Sequence, residues 1–193
     1  MRYFLVGLTM VVSGITATGQ DMEGWSSYGF LEGADLISDV YSTDLEVGAG
    51  LGLMRALNRN QGIGLEIFVG PNFSNNDMTN TFAGWDVDWK GLDLIFRHQW
   101  AETWSASGGV GYAVVDEQRR GRDFGVPNNT ELEHRGPTLS VNLTWHFVPR
   151  SGVFLKYRRF VGTVEDLPSP RPRYLADAGD PEYIALGIFW RFF

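Results

Sequence analysis

The chain of 193 residues has the size of a single domain, and its 24 glycines with 14% aromatic and 44% hydrophobic residues suit a β-barrel better than a helical bundle. The absence of cysteine excludes a disulfide framework, a thiolate nucleophile and a cysteine-ligated metal, and three histidines supply little for other metal chemistry. A formal net charge of -7 argues against a general nucleic-acid binder.

Residues 1–19 carry one basic side chain, Arg2, then an apolar run from Tyr3 to Val12, then small residues that include Ala17 and Gly19. A short apolar core behind a positive start predicts a secretory signal peptide cut after Gly19, and the run is well short of the roughly 20 apolar residues that a helical span needs. The expected organisation is a signal peptide at 1–19 and one barrel domain at 20–193.

The first predicted strand lies near Trp25 to Gly33, where Tyr28 and Phe30 compete with Trp25 and Leu31 for the apolar side, so its facing stays open. In the second, Leu45, Val47, Ala49, Leu51 and Leu53 alternate with Asp44, Glu46 and three glycines, before a turn at Asn58, Arg59 and Asn60. The third sets Ile63, Leu65, Ile67 and Val69 against Gly64, Glu66, Phe68 and Gly70. A polar stretch from Pro71 to Gly84 then predicts a loop. The fourth strand has Leu92, Leu94 and Phe96 opposite Gly91, Asp93, Ile95 and Arg97, with an apparent change of phase over Trp85 to Trp89 that would place a bulge there.

The fifth strand, Thr103 to Val115, alternates Trp104, Ala106, Val110, Tyr112 and Val114 with serines, glycines and Ala113, and a charged loop is expected from Asp116 to Arg135. The sixth is the most regular: Leu139, Val141, Leu143, Trp145 and Phe147 against Thr138, Ser140, Asn142, Thr144 and His146. After a turn at Pro149 to Gly152, the seventh sets Val153, Leu155, Tyr157 and Val161 against Phe154, Lys156, Arg158 and Phe160. A loop with four prolines follows from Gly162 to Pro181. The eighth strand places Ile184, Leu186, Ile188, Trp190 and Phe192 on one face and Tyr183, Ala185, Gly187, Phe189 and Arg191 on the other.

Short connections after the second, fourth and sixth strands and long ones after the third, fifth and seventh predict an all-β, eight-stranded, antiparallel up-and-down barrel with its long loops at one end. A soluble carrier barrel would show the same alternation with the apolar row inside. The transmembrane reading is favoured because Trp104, Trp145 and Phe147 fall at the short-turn ends among aliphatic neighbours, as an aromatic girdle requires, while the opposite row mixes glycine, hydroxyls and both signs of charge. Ten residues at about 3.3 Å each, tilted near 45°, rise about 23 Å, the height of an outer-membrane apolar band.

On the segments GLDLIFRHQW, ETWSASGGVGYAVV, GVFLKYRRF and LGIFWRF the mature chain resembles the OmpA-like family of eight-stranded outer-membrane barrels. The resemblance implies a bacterial outer-membrane location and a C-terminal assembly signal in Leu186, Ile188, Trp190, Phe192 and Phe193. Its terminal aromatic matches Phe192, one residue before the end. It also implies contact with outer-membrane lipid and lipopolysaccharide, and passage through periplasmic chaperones and the barrel-assembly machinery. Lys156 stands where the family often carries a glutamate, and the peptidoglycan-binding domain of larger members is expected to be missing.

The inner row collects Glu46, Glu66 and Asp93 with Arg97, Lys156, Arg158 and Arg191. Such a set can line a channel, but the plainer expectation is an interior charge network, since ions in a narrow lumen must pair. Lys156 and Arg158 share one strand face, so their partners are expected among Glu46, Glu66 and Asp93. Three acids against four bases leave one positive charge over.

No histidine has a serine two residues away, a spacing found in lipid A deacylases, and a Thr144/His146 pair is the remaining enzymatic arrangement; His98 and His134 lie near strand ends. Arg119, Arg120 and Arg122 suit lipopolysaccharide phosphates or a solvated loop tip. The reading is therefore a non-enzymatic, monomeric outer-membrane barrel without cofactor or nucleic-acid partner, serving envelope integrity or surface contacts. The alternatives are a narrow conduit for small solutes or hydrophobic ligands, a lipid-modifying enzyme and a soluble carrier.

Overall fold

The computed structural model describes residues 24–37, 46–75, 85–123, 126–161 and 182–192. The expected signal peptide, Phe193 and the greater part of the expected loops at 71–84 and 162–181 lie outside these residues. Eight strands follow in chain order: β1 (Trp25–Leu36), β2 (Glu46–Ala56), β3 (Gln61–Asn75), β4 (Trp85–Gln99), β5 (Trp104–Asp123), β6 (Val126–Val148), β7 (Ser151–Phe160) and β8 (Glu182–Arg191). Each pairs antiparallel with its sequence neighbours, and β1 pairs with β8 from Tyr28 opposite Arg191 to Leu36 opposite Tyr183, so the barrel closes. Phe192 extends the seam through its backbone N–H to the Ser27 carbonyl at 2.9 Å. Closure satisfies both sides of every strand, the condition for crossing hydrocarbon without water.

The apolar rows face outward. Ile67, Val141 and Leu186 are 60%, 61% and 67% exposed, whereas the alternate row is buried, which excludes a soluble carrier with an apolar lumen. At the short-turn end Trp104 sits opposite Trp145, the rings of Trp145 and Phe147 meet edge to face, and so do those of Trp190 and Phe192. Trp25 completes this belt with the Arg55 guanidinium 5.8 Å from its ring centre. The protein crosses the membrane with strands; no helix among the described residues is long and apolar enough to do so.

Two expectations about the strands are corrected, and the facing of the first strand, left open above, is decided. In β1, Phe30, Glu32 and Ala34 are buried, so the Tyr28 and Phe30 row points inward and Trp25 and Leu31 point out. In β4, Val87 and Trp89 are buried in phase with Asp93 and Ile95, so no change of phase occurs there. The irregularity lies on the partner strand, where the β3–β4 register shifts between Val69 and Asn72. Gly70 adopts a φ of +82° at this point, a conformation that glycine takes at no steric cost, and the inward row passes from Glu66 and Phe68 to Phe73. The aromatic residues of β4 obscured this because Trp89 is an inward side chain with the chemistry of an outward one.

The expected charged loop from Asp116 to Arg135 is mostly strand. β5 continues to Asp123 and β6 begins at Val126, paired without interruption from Asp116 opposite Glu133 to Asp123 opposite Val126. A backbone ladder does not require apolar alternation, so a strand of polar and charged residues lacks the period-two signal by which a strand is read.

Glycines make room for the inward aromatics. Phe30 faces Gly50, Tyr28 faces Gly52, Phe68 faces Gly91, Phe154 faces Gly187 and Phe189 faces Gly152, each directly across a strand pair. A Cβ on Gly52 would lie 2.1 Å from the Tyr28 ring, and one on Gly187 would lie 2.3 Å from the Phe154 ring. Each ring therefore lies flat over its neighbour's backbone, which lets five aromatic rings share an eight-stranded lumen. Gly187→Val is expected to displace Phe154 and to lower stability by about 1–3 kcal/mol. Urea unfolding of the refolded barrel followed by tryptophan fluorescence measures this, and an unchanged midpoint would contradict the packing described.

Candidate functional site in the barrel lumen

The lumen has three levels. At the loop end, Phe73, Trp89, Phe160 and Tyr183 are fully buried. Trp89 packs edge to face on Tyr183 at 5.2 Å and on Phe160 at 6.5 Å between ring centres, and Phe73 meets Tyr183 at 5.9 Å. His134 is buried beside Phe160. Aromatic side chains thus close this end of the barrel.

The middle level is a buried ionic cluster. Lys156 on β7 reaches Glu32 on β1 and Glu66 on β3, both at 3.0 Å. Two residues further along β7, Arg158 reaches Glu66 at 3.2 Å and Asp93 on β4 at 2.6 Å. Neutral donors occupy the remaining carboxylate positions: Tyr28 donates to Glu66 at 3.1 Å, Thr138 and Ser140 to Asp93 at 3.0 and 3.2 Å, and Tyr183 to Glu32 at 3.1 Å. Tyr183 itself accepts a bond from Arg158 at 2.6 Å. The cations also lie over aromatic faces, Lys156 Nζ at 3.9 Å from the Phe30 ring centre and Arg158 Cζ at 3.5 Å from that of Phe68. Charges withdrawn this far from water persist only when paired, and here each has an opposite charge within 3.2 Å although the Arg158 Nε has no hydrogen-bond partner.

Of the seven charged residues expected in the lumen, Glu66, Asp93, Lys156 and Arg158 come together in this cluster. Glu46 does not join them: it lies at the loop end of β2 opposite Ala34, partly exposed, and Glu32 takes the place expected of it. Including Glu32 makes the inner row four acids and four bases, and the expected surplus positive charge disappears. Glu32 was missed because the facing of β1 was undecided; the inward phase of Tyr28 and Phe30 leads directly to it. Tyr183 is expected only as one of the row opposite Ile184 on the eighth strand, yet its hydroxyl connects Arg158 to Glu32.

Arg97 and Arg191 form the third level with His146, at the short-turn end, where they line a cavity with Ser105, Ser107, Asn142 and Thr144. The His146 partner is not Thr144 on its own strand but Ser105 across the ladder, at 2.9 Å between Oγ and Nε2. That pair has the elements of a nucleophile and a base, but no carboxylate among the described residues bonds the imidazole to orient it. His98 is exposed. Among the described residues no group of three His, Asp or Glu side chains could hold a metal ion. Trp104, Trp145 and Phe147 stand in the outer belt, as do Trp190 and Phe192, while Leu186 and Ile188 face outward above them. Arg119, Arg120 and Arg122 lie on the β5–β6 ribbon.

A closed eight-stranded barrel that is apolar outside, packed with aromatic and ionic layers inside and longer at one end defines a membrane-spanning barrel of the outer-membrane type. Its fold is that of the OmpA-like eight-stranded outer-membrane barrels. Ail, the attachment invasion locus protein of Yersinia pestis, is 15% identical with a TM-score of 0.56, the match covering 88% of this chain and 99% of that one. The outer membrane protein OprG from Pseudomonas aeruginosa is 9% identical with a TM-score of 0.54, covering 86% and 95%. No family model and no curated protein matches the chain.

The cluster holds three carboxylates and two cations, so the two kinds of deletion are unequal. Arg158→Met would leave three buried carboxylates facing Lys156 alone and is expected to destabilise by about 3–5 kcal/mol. Glu66→Gln leaves Lys156 with Glu32 and Arg158 with Asp93, and is expected to lose only about 1–3 kcal/mol. Urea midpoints of the two variants test the ordering, and equal losses would show that the charges are solvated.

Proposed function

We propose that the protein is a non-enzymatic, monomeric barrel of the bacterial outer membrane that acts through the surface it presents at its loop end, chiefly the β5–β6 ribbon. The observation that carries this reading is a difference in strand length. β5 and β6 have 20 and 23 residues, whereas β7 and β8 have 10 each. The ten or so extra residues, at about 3.3 Å each, extend the paired backbone by about 30 Å along the strand, a rise of about 23 Å at the same tilt. A paired ribbon presents its side chains at lower entropic cost than a free loop, which suits recognition.

The ribbon carries Arg119, Arg120 and Arg122 within four residues, chemistry suited to phosphate or sulfate groups on a polyanionic surface such as lipopolysaccharide. Ail, of the same fold, is known in complex with the heparin analogue sucrose octasulfate. Export by the signal peptide at 1–19, handling by periplasmic chaperones and recognition of the terminal row ending in Phe192 and Phe193 by the barrel-assembly machinery complete the reading. The conduit alternative would require the layer of Phe73, Trp89, Phe160 and Tyr183 to open.

Replacing Arg119, Arg120 and Arg122 together by alanine is expected to weaken binding to lipopolysaccharide or a sulfated polysaccharide at least tenfold and to flatten its salt dependence. The folded yield should not change. Unmodified protein in a planar bilayer is expected to show no steady conductance. Full binding by the triple variant would overturn the surface reading, and a large stable conductance would favour the conduit.

A further inference from the structure

Among the described residues the charges of the inner row balance in number but not in place. Every carboxylate of the middle cluster is committed to Lys156, Arg158 or a hydroxyl, and Glu46 lies at the opposite end of the barrel. Arg97 on β4 and Arg191 on β8 are only partly exposed, and among the described residues neither guanidinium has a carboxylate or a hydrogen-bond partner. Both line one cavity with His146, Ser107, Asn142 and Thr144, and its far wall is Glu66, already paired with Lys156 and Arg158. Arg97 lies opposite Ser107, and Ser107 lies opposite Asn142, so a row of polar side chains crosses three adjacent strands beside the guanidinium.

We propose that this cavity is a binding site for one small oxyanion, a phosphate or sulfate group, held between Arg97 and Arg191 with hydroxyl and amide donors on the β5–β6 wall. Two guanidiniums drawn partly out of water without a counter-charge are unfavourable, and an anion from solution relieves this most directly. The guanidinium fork matches the tetrahedral oxyanion, and hydroxyl side chains complete its coordination. Glu66 and Lys156 of the ionic cluster form the inner wall of the cavity, and the buried aromatic layer lies beyond them toward the loop end. The site is thus a blind pocket and not a stage of permeation. It is independent of the ribbon at the other end.

Inorganic phosphate added to the barrel in neutral maltoside micelles at constant ionic strength is the direct probe. The expected result is a saturable rise in the unfolding midpoint that Arg97→Gln and Arg191→Gln each weaken at least tenfold in apparent affinity. Arg55→Gln, on the outer belt, should leave it unchanged. Arg97→Lys and Arg191→Lys, which keep the charge and lose the fork, should retain partial binding and serve where a glutamine variant fails to fold. Refolding into phosphatidylcholine and phosphatidylglycerol vesicles separates the sources. Protection by free phosphate in both identifies a soluble anion, whereas protection that phosphatidylglycerol alone supplies, still lost with Arg97→Gln, identifies a lipid headgroup in the same site. No saturable effect of phosphate in micelles and no lipid effect would overturn the proposal. So would equal protection by chloride, or protection that survives both arginine substitutions.

Discussion

The pairing of Lys156 and Arg158 with Glu32, Glu66 and Asp93 is the constraint on which the lumen depends. An eight-stranded barrel has an interior about as wide as the side chains that fill it, so these ions cannot keep a hydration shell. Their five strand positions lie on β1, β3, β4 and β7, and a shift of one residue in any of those strands would turn a charge toward lipid. The cluster therefore ties together strands that are not neighbours in the ladder. Hydrogen bonds between adjacent strands close the barrel, and the ionic contacts determine which closed register survives.

Glycine and aromatic pairing does for shape what the ions do for register. Phe30, Phe68 and Phe154 lie over glycines on neighbouring strands, and the first two also supply the faces that cover Lys156 and Arg158. The same rings thus fill the barrel and soften the desolvation of its cations. Glycine, a sign of a barrel in composition alone, acquires at Gly50, Gly52, Gly91, Gly152 and Gly187 a specific role beside inward rings.

The two ends of the molecule divide the chemistry. At the loop end the lumen is closed by aromatic rings, while β5 and β6 carry paired backbone well past the lipid. At the short-turn end the girdle of Trp25, Trp104, Trp145 and Phe147 marks the lipid boundary, and a polar cavity opens inside it. The two ends therefore present different surfaces separated by a packed core.

Period-two alternation was enough to place all eight strands, to show which rows belong together in β2, β7, β8 and the regular parts of β3 to β6, and to put Glu66, Asp93, Lys156 and Arg158 on the inner face. That signal is local, because each residue's face is set by its neighbours two positions away. It failed where locality failed. The facing of β1, and with it Glu32, depended on pairing with β2 and β8; the bulge at Gly70 appeared as a false change of phase on the opposite strand; the ribbon of β5 and β6 lost its alternation on leaving the lipid. The contact of Ser105 with His146 joins residues 41 positions apart, and that of Arg158 with Glu66 joins residues 92 apart. Only barrel closure decides such partners, because the register that brings two distant strands face to face is set by all eight together.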